Sequence, residues 1–174
     1  ILNLNDCDIK NESQLKFIKD KTGPIDILMV QFSYAIGKSN ADNIKERQIW
    51  ALDILNKLSS NIKFLNPKIV IPFASFCYFS KKDNFYMNDS SNKIDSTIEY
   101  LSKENPNVKF MCFYPGDTWD LNSNISNFES LKKYNDDSLG SYRCYYTFIE
   151  PKIIKDISEY KNKAEKTIQR FFIH

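Results

Sequence analysis

Apolar residues in this chain recur with two alternating periods, and that alternation restricts the fold more than any other feature. Residues 25–31 are almost continuously apolar, interrupted by Asp26, as in a strand buried on both faces. Downstream, Ile44, Ala51, Ile54, Leu55, Leu58 and Ile62 recur at helical spacing and line one face of a long helix over about residues 42–62. The same exchange of periods runs through the rest of the chain. Residues 1–4 alternate like a short strand that ends at Asn5-Asp6, and residues 11–20, with Leu15 and Ile18, form a helix that Gly23-Pro24 stops. Residues 68–73 read as a strand, Ile94, Ile98 and Leu101 mark a helix ended by Asn105-Pro106, and residues 108–114 form the next strand. Pro115-Gly116 then stand in the order a type II turn requires. Residues 120–147 are polar, tyrosine-rich and weakly periodic, and read as a long excursion with a strand near residues 144–148. From about Pro151, the spacing of Ile153, Ile157, Tyr160, Ala164, Ile168 and Phe171 predicts a terminal helix. Strands exchanging with helices predict an α/β fold with a largely parallel or mixed sheet flanked by helices.

The 174 residues suit one domain or half-domain. Charge is nearly balanced, with 24 basic against 22 acidic side chains, so no nucleic-acid partner is expected. No apolar run approaches the length of a bilayer span, so no membrane partner is expected either. Cys7, Cys77, Cys112 and Cys144 are widely spaced and mostly in apolar runs, which suits reduced, buried thiols and a cytoplasmic location. The sequence opens inside a strand without an initiator methionine, which suggests a piece of a longer protein. Its one histidine is His174, so the chain by itself cannot assemble a histidine-rich metal centre or a histidine-dependent catalytic triad.

Candidate site residues fall just past strand ends, where open α/β sheets place their ligand crevices. Asn5-Asp6-Cys7-Asp8 gathers hard oxygen ligands after the first strand, and an Asx turn explains the same residues. Gln31 and Ser33 leave the second strand, where they could face a substrate or equally form a plain polar strand exit. Asp117 follows a later strand and could be aimed into a site, with a plain surface turn as the default reading. Residues 71–80 hold a dense aromatic run that must be buried or lie against a ligand, and Asp83, Asn84, Tyr86 and Asn88 follow it. Four glycines leave little material for a P-loop or a dinucleotide fingerprint.

Taken in order, Asn3-Leu4-Asn5-Asp6-Cys7, residues 26–35 and residues 71–88 resemble the carboxyl-terminal half of a metallo-β-lactamase-fold metallohydrolase, most specifically at Asn5-Asp6-Cys7 and Pro72-Phe73-Ala74-Ser75-Phe76-Cys77-Tyr78-Phe79-Ser80. The branch they resemble includes the CMP-sialic acid hydroxylases and their bacterial relatives. The resemblance covers about residues 1–120. It implies an αββα sandwich whose first half, bearing an HxHxDH motif, is not in this sequence. It also implies that Asp6 matches the carboxylate shared between two metals, and that a metal-bound hydroxide attacks a small ester, phosphoester or amide. Lys81 stands where relatives carry a histidine ligand, a departure that disfavours a dinuclear site.

The expectation is therefore the second half of such a hydrolase, completed by an amino-terminal half of the same protein. Zinc, iron or manganese would bind at Asp6, with Gln31, Ser33, Ser75 and Lys81 at the pocket of a small-molecule substrate. The rival expectation is a non-catalytic α/β binding or assembly domain that has lost its metal.

Overall fold

A computed structural model of the chain describes residues 1–34, 39–75, 78–79, 82–120 and 127–140, the last four by their backbone alone. Two compact units divide the chain, Ile1–Asn135 and Asp136–His174. The first contains all four described strands. Of the second, only residues 136–140 are described, and the strand expected near residues 144–148 and the helix expected from Pro151 lie outside the described residues.

Strands β1 (Leu2–Asn3), β2 (Ile27–Val30), β3 (Ile69–Pro72) and β4 (Lys109–Phe110) form one parallel sheet in the order β1-β2-β3-β4. Leu28 stands opposite Leu2 on one side and Val70 on the other, and Val70 stands opposite Phe110. Every connection therefore steps in the same direction across the sheet. With right-handed crossovers, that order stacks the connecting helices on a single face. They are α1 (Glu12–Thr22), α2 (Ile44–Leu65) and α3 (Ile94–Glu104), with a 3₁₀ helix (Lys82–Asp89) ahead of α3.

Local chemistry sets the ends of these helices. The Asn11 side chain accepts the Gln14 N–H at the start of α1, and Gly23, at φ 66°, donates its N–H back to Lys19 to close it. Asn66 closes α2 in the left-handed region, and Pro67 bars continuation.

Side chains alternate across the sheet, and both faces are apolar. Leu28, Val30, Val70, Phe110 and Cys112 pack with Leu15, Leu58, Ile62, Leu65 and Leu101 of the helices. On the opposite face, Ile27, Ile71 and Met111 pack with Met29, Ile69, Phe113 and Trp119. This two-sided burial explains the unbroken apolar run in β2. Each aliphatic side chain fully removed from water contributes roughly 1.5–3 kcal/mol.

Two sequence expectations need correction. Ile44 begins α2 on an exposed surface, and the buried stripe is entered instead by Arg47, which has no exposed area. Residues 120–147 are not all irregular, because Phe128–Gly140 forms helix α4. Leu131 and Tyr134 of α4 pack on the core cluster, but Phe128 is exposed, so among the described side chains the stripe is too thin to register as a helical period. Asn127 fixes its start: its amide donates to the Phe110 carbonyl at 2.8 Å and accepts the Cys112 N–H at 2.9 Å, continuing the edge of β4 with a side chain.

Candidate functional site

A pocket of about 420 Å³ opens at the carboxyl edge of β1 and β2. Three pieces of chain line it. Leu4 and the turn of Asp6, Cys7, Asp8 and Ile9 follow β1; Val30, Gln31, Ser33 and Tyr34 form the exit of β2; Trp50, Ile54, Lys57, Leu58 and Asn61 are one stripe of α2. The sequence thus brings Asp6, Gln31 and Ser33 together, as parallel strands with same-direction crossovers deliver their exits to one edge.

The β1 exit is an Asx turn. Asn3 accepts the Asn5 N–H at 2.9 Å, the Cys7 N–H reaches the Leu4 carbonyl at 3.2 Å, and Asp6 takes φ 56°, which an aspartate tolerates. The Asp6 carboxylate is exposed and, among the described residues, meets the Asn5 amide at 3.4 Å. Asp8 is shared between Lys57 at 3.4 Å and Lys10 at 3.7 Å. Cys7 is an exposed thiol, contrary to the buried thiols expected, whereas Cys112 is buried as expected. Cys77 and Cys144 lie outside the described residues.

At the β2 exit, Ser33 is 3% exposed, and its hydroxyl has no hydrogen-bond partner. Ser75 stands behind this wall rather than in it: its hydroxyl accepts the N–H groups of Phe32 and Ser33 at 2.9 and 3.0 Å. Ala74, at φ 53°, turns the chain after β3 so that Ser75 can reach them. Lys81, expected at the pocket, lies outside the described residues.

Tyr34 closes the pocket on one side. Its ring stacks on Trp50 at 5.2 Å with planes 10° apart, and its hydroxyl donates to the Met87 carbonyl at 2.7 Å. Burial, reinforced by the negative charge of Asp89, pushes its pKa up to about 12, so Tyr34 is a neutral donor rather than a base.

Behind Tyr34, Arg47 binds Asp89 through Nε at 3.0 Å and Nη2 at 2.5 Å. It also donates to the Ser39 hydroxyl and to the carbonyls of Asn40 and Ala41, and lies 4.9 Å over the Tyr86 ring. The Arg47 hydrogen bond holds the Asp89 carboxyl below its ordinary value. This clamp ties α2 to the 3₁₀ helix, and Asn88 ties that helix to Phe79, accepting its N–H at 2.8 Å and donating to its carbonyl at 2.7 Å.

No protein-family model matches the chain, and comparison with curated proteins and with solved structures gives no match either. The site therefore stands on its own geometry.

Asp117 serves the turn and not the pocket. It accepts from the Tyr114 N–H, the Ser130 hydroxyl and Lys133, at 2.6–2.8 Å, anchoring α4 to the type II turn, where Gly116 has φ 94°. The Lys133 hydrogen bond, then those of Ser130 and Tyr114, lowers its pKa to about 2.

Among the described residues, no three His, Cys, Asp or Glu side chains gather closely enough to hold a metal ion. Asp6 offers one exposed carboxylate, and Asp8 is paired with Lys10 and Lys57. These residues alone do not fit a metal. No helix among the described residues is long and apolar enough to cross a membrane.

Sequence reasoning missed Tyr34, Trp50 and Arg47 as parts of this site. Arg47 carried a signal, since it stands one turn before Ala51 on the apolar stripe, where a cation needs a buried partner.

Proposed function

We propose that this chain is the substrate-binding half of a metal-dependent hydrolase of metallo-β-lactamase type. The imidazole ligands and the first sheet would come from polypeptide outside this sequence, and Asp6 would be the carboxylate this half adds. One observation carries the reading: Asp6, Gln31 and Ser33, separated in sequence, line a single pocket at the carboxyl edge of a parallel sheet. The apolar residues on the face away from the helices, Ile27, Ile71 and Met111, suit one layer of a four-layer sandwich.

A second reading, a binding domain without a metal, is favoured by the pairing of Asp8 with Lys57 and Lys10. Metal analysis separates the two. The natural polypeptide containing these residues and those upstream of Ile1 is purified under metal-replete conditions, with and without Asp6→Ala. About one or two equivalents of zinc, iron or manganese, lost in the variant, support the hydrolase. Metal-free protein supports the binding domain, and full retention by Asp6→Ala removes Asp6 from the site.

A further inference from the structure

We infer that the 3₁₀ helix Lys82–Asp89 is a latched cover that opens as a unit while the sheet stays folded, and that its opening releases Tyr34, one wall of the pocket. The inference goes beyond the proposed role of the pocket and requires no metal.

The packing divides the first unit at this place. Tyr34, Ala51, Phe79 and Met87, with Trp50, Ile54 and Tyr86 around them, form an apolar cluster of their own, apart from the cluster between the sheet and the helices. Satellite clusters of this kind lie under connecting segments, and segments with few buried contacts open before the main core does. The pocket runs along the seam. Of its lining, Ile9, Val30 and Leu58 belong to the main core, whereas Tyr34, Trp50 and Ile54 belong to the satellite.

The helix itself is weakly built. It runs for eight residues, although the poorer bonds of a 3₁₀ helix seldom sustain more than about four, and longer runs often mark a hinge. Met87 is its one buried side chain, and Phe85 beside it is 53% exposed. Burial of a single methionine does not offset the entropy of ordering eight residues.

Polar attachments hold the helix down instead, and they come from the elements that build the pocket. Arg47 of α2 grips Asp89 through Nε and Nη2, and the Tyr34 hydroxyl at the β2 exit donates to the Met87 carbonyl at 2.7 Å. Tyr86 donates to the Ser39 carbonyl at 2.9 Å, and Asn88 binds both backbone groups of Phe79. These bonds are directional, so lifting the helix breaks those of Asp89 and Met87 together. Tyr34 then loses the acceptor of its hydroxyl and its contact with Met87, and its stack on Trp50 remains. A ring held by one stack is free to turn, and the pocket opens behind it.

Hydrogen exchange of the unmodified full chain, read by mass spectrometry at rising urea below the unfolding transition, tests the inference. Peptides covering Phe79 and residues 82–89 should exchange with a shallow urea dependence, because their opening exposes little surface. Peptides covering β2 and β3 should show the steep dependence of global unfolding. Asp89→Asn leaves the buried Arg47 charge without its counterion and should speed exchange of the cover about tenfold or more. In a chain carrying Trp119→Phe, where Trp50 is the remaining tryptophan, the same variant should raise acrylamide quenching while β2 and β3 still exchange more slowly than the cover. A cover as steeply urea-dependent as the strands would overturn the inference, as would one unprotected from the outset. So would exchange unaltered by Asp89→Asn, or a Trp50 no more quenchable when the cover opens. Should Asp89→Asn fail to fold, the urea dependence in the unmodified chain decides alone. None of these readouts involves a metal, so failure here and failure of the hydrolase reading are separately visible.

Discussion

Replacing Arg47 by methionine should destabilise the chain by about 3 kcal/mol, at the lower end of the cost of stripping one partner from a buried ion pair. The figure follows from what is left behind. Methionine keeps an unbranched apolar stem in the α2 stripe, so little packing is lost. Asp89 loses two charge-assisted hydrogen bonds, and the Ser39 hydroxyl and the carbonyls of Asn40 and Ala41 each lose a donor. The Arg47 side chain is fully buried but that of Asp89 is 32% exposed, so water recovers part of the carboxylate's solvation and keeps the cost below the upper end of the range.

Urea unfolding followed by tryptophan emission measures the effect. With a slope of about 2 kcal/mol/M, the midpoint should fall by about 1.5 M. Adding Asp89→Leu to Arg47→Met should recover about half of the loss, since the stranded charge is gone and the two sites are coupled. Acid titration supplies an independent check. Asp89 is held below its ordinary pKa of 3.8 by Arg47, so its contribution is present above about pH 4 and is lost as pH falls through the lower folded value. Arg47→Met should lack that acid limb. A loss under about 1 kcal/mol, with strictly additive variants, would show that the clamp is incidental to the fold.

Tyr34 should ionise above the ordinary phenol value of 10: the absorbance difference between the chain and Tyr34→Phe should grow near pH 12, and the stability from the neutral phenol, full below pH 10, should fade as pH rises toward that value. An ordinary tyrosine titration at position 34 would contradict its burial. Asp117→Asn should flatten the loss of stability that the unmodified chain shows as pH falls from its ordinary 3.8 to about 2, measured by urea midpoints at stepped pH. Ala74, exposed at φ 53°, should accept glycine with stability unchanged or raised by up to about 1 kcal/mol, whereas valine should cost roughly 1–2 kcal/mol. Equal midpoints for the glycine and valine variants would mean that the turn is not held in the left-handed region.

The elements legible in the sequence are those whose signal is local and repeated. β2 shows as an apolar run because both of its faces are covered, and α2 shows because its stripe recurs over several turns. α4 is the counterexample. Among its described side chains, Leu131 and Tyr134 pack on the core, and much of what fixes it is polar and distant in sequence: Asn127 on the Phe110 carbonyl of β4, and Ser130 and Lys133 on Asp117. A period-based reading cannot register a helix anchored in this way, because each anchor is a single residue and its partner lies in another element.

The pocket divides along the same line, and the division has a physical cause. Asp6, Gln31 and Ser33 were legible because a strand exit in a parallel sheet is a position with chemical meaning before any contact is known. Tyr34 and Trp50 were not, since their place depends on α2 crossing the β2 exit at one particular height, which the Arg47–Asp89 clamp helps to set. Ser75 was expected in the wall for the same positional reason as Ser33, yet Ala74 turns it back onto the β2 backbone. One serine at a strand exit thus holds the site's backbone, and the hydroxyl of the other is buried without a partner. What separates them is a left-handed residue at position 74, a backbone angle that sequence pattern does not encode for alanine. The two substitutions should therefore part company: removing the Ser75 hydroxyl strands two N–H groups and should destabilise the fold, while removing that of Ser33 strands none.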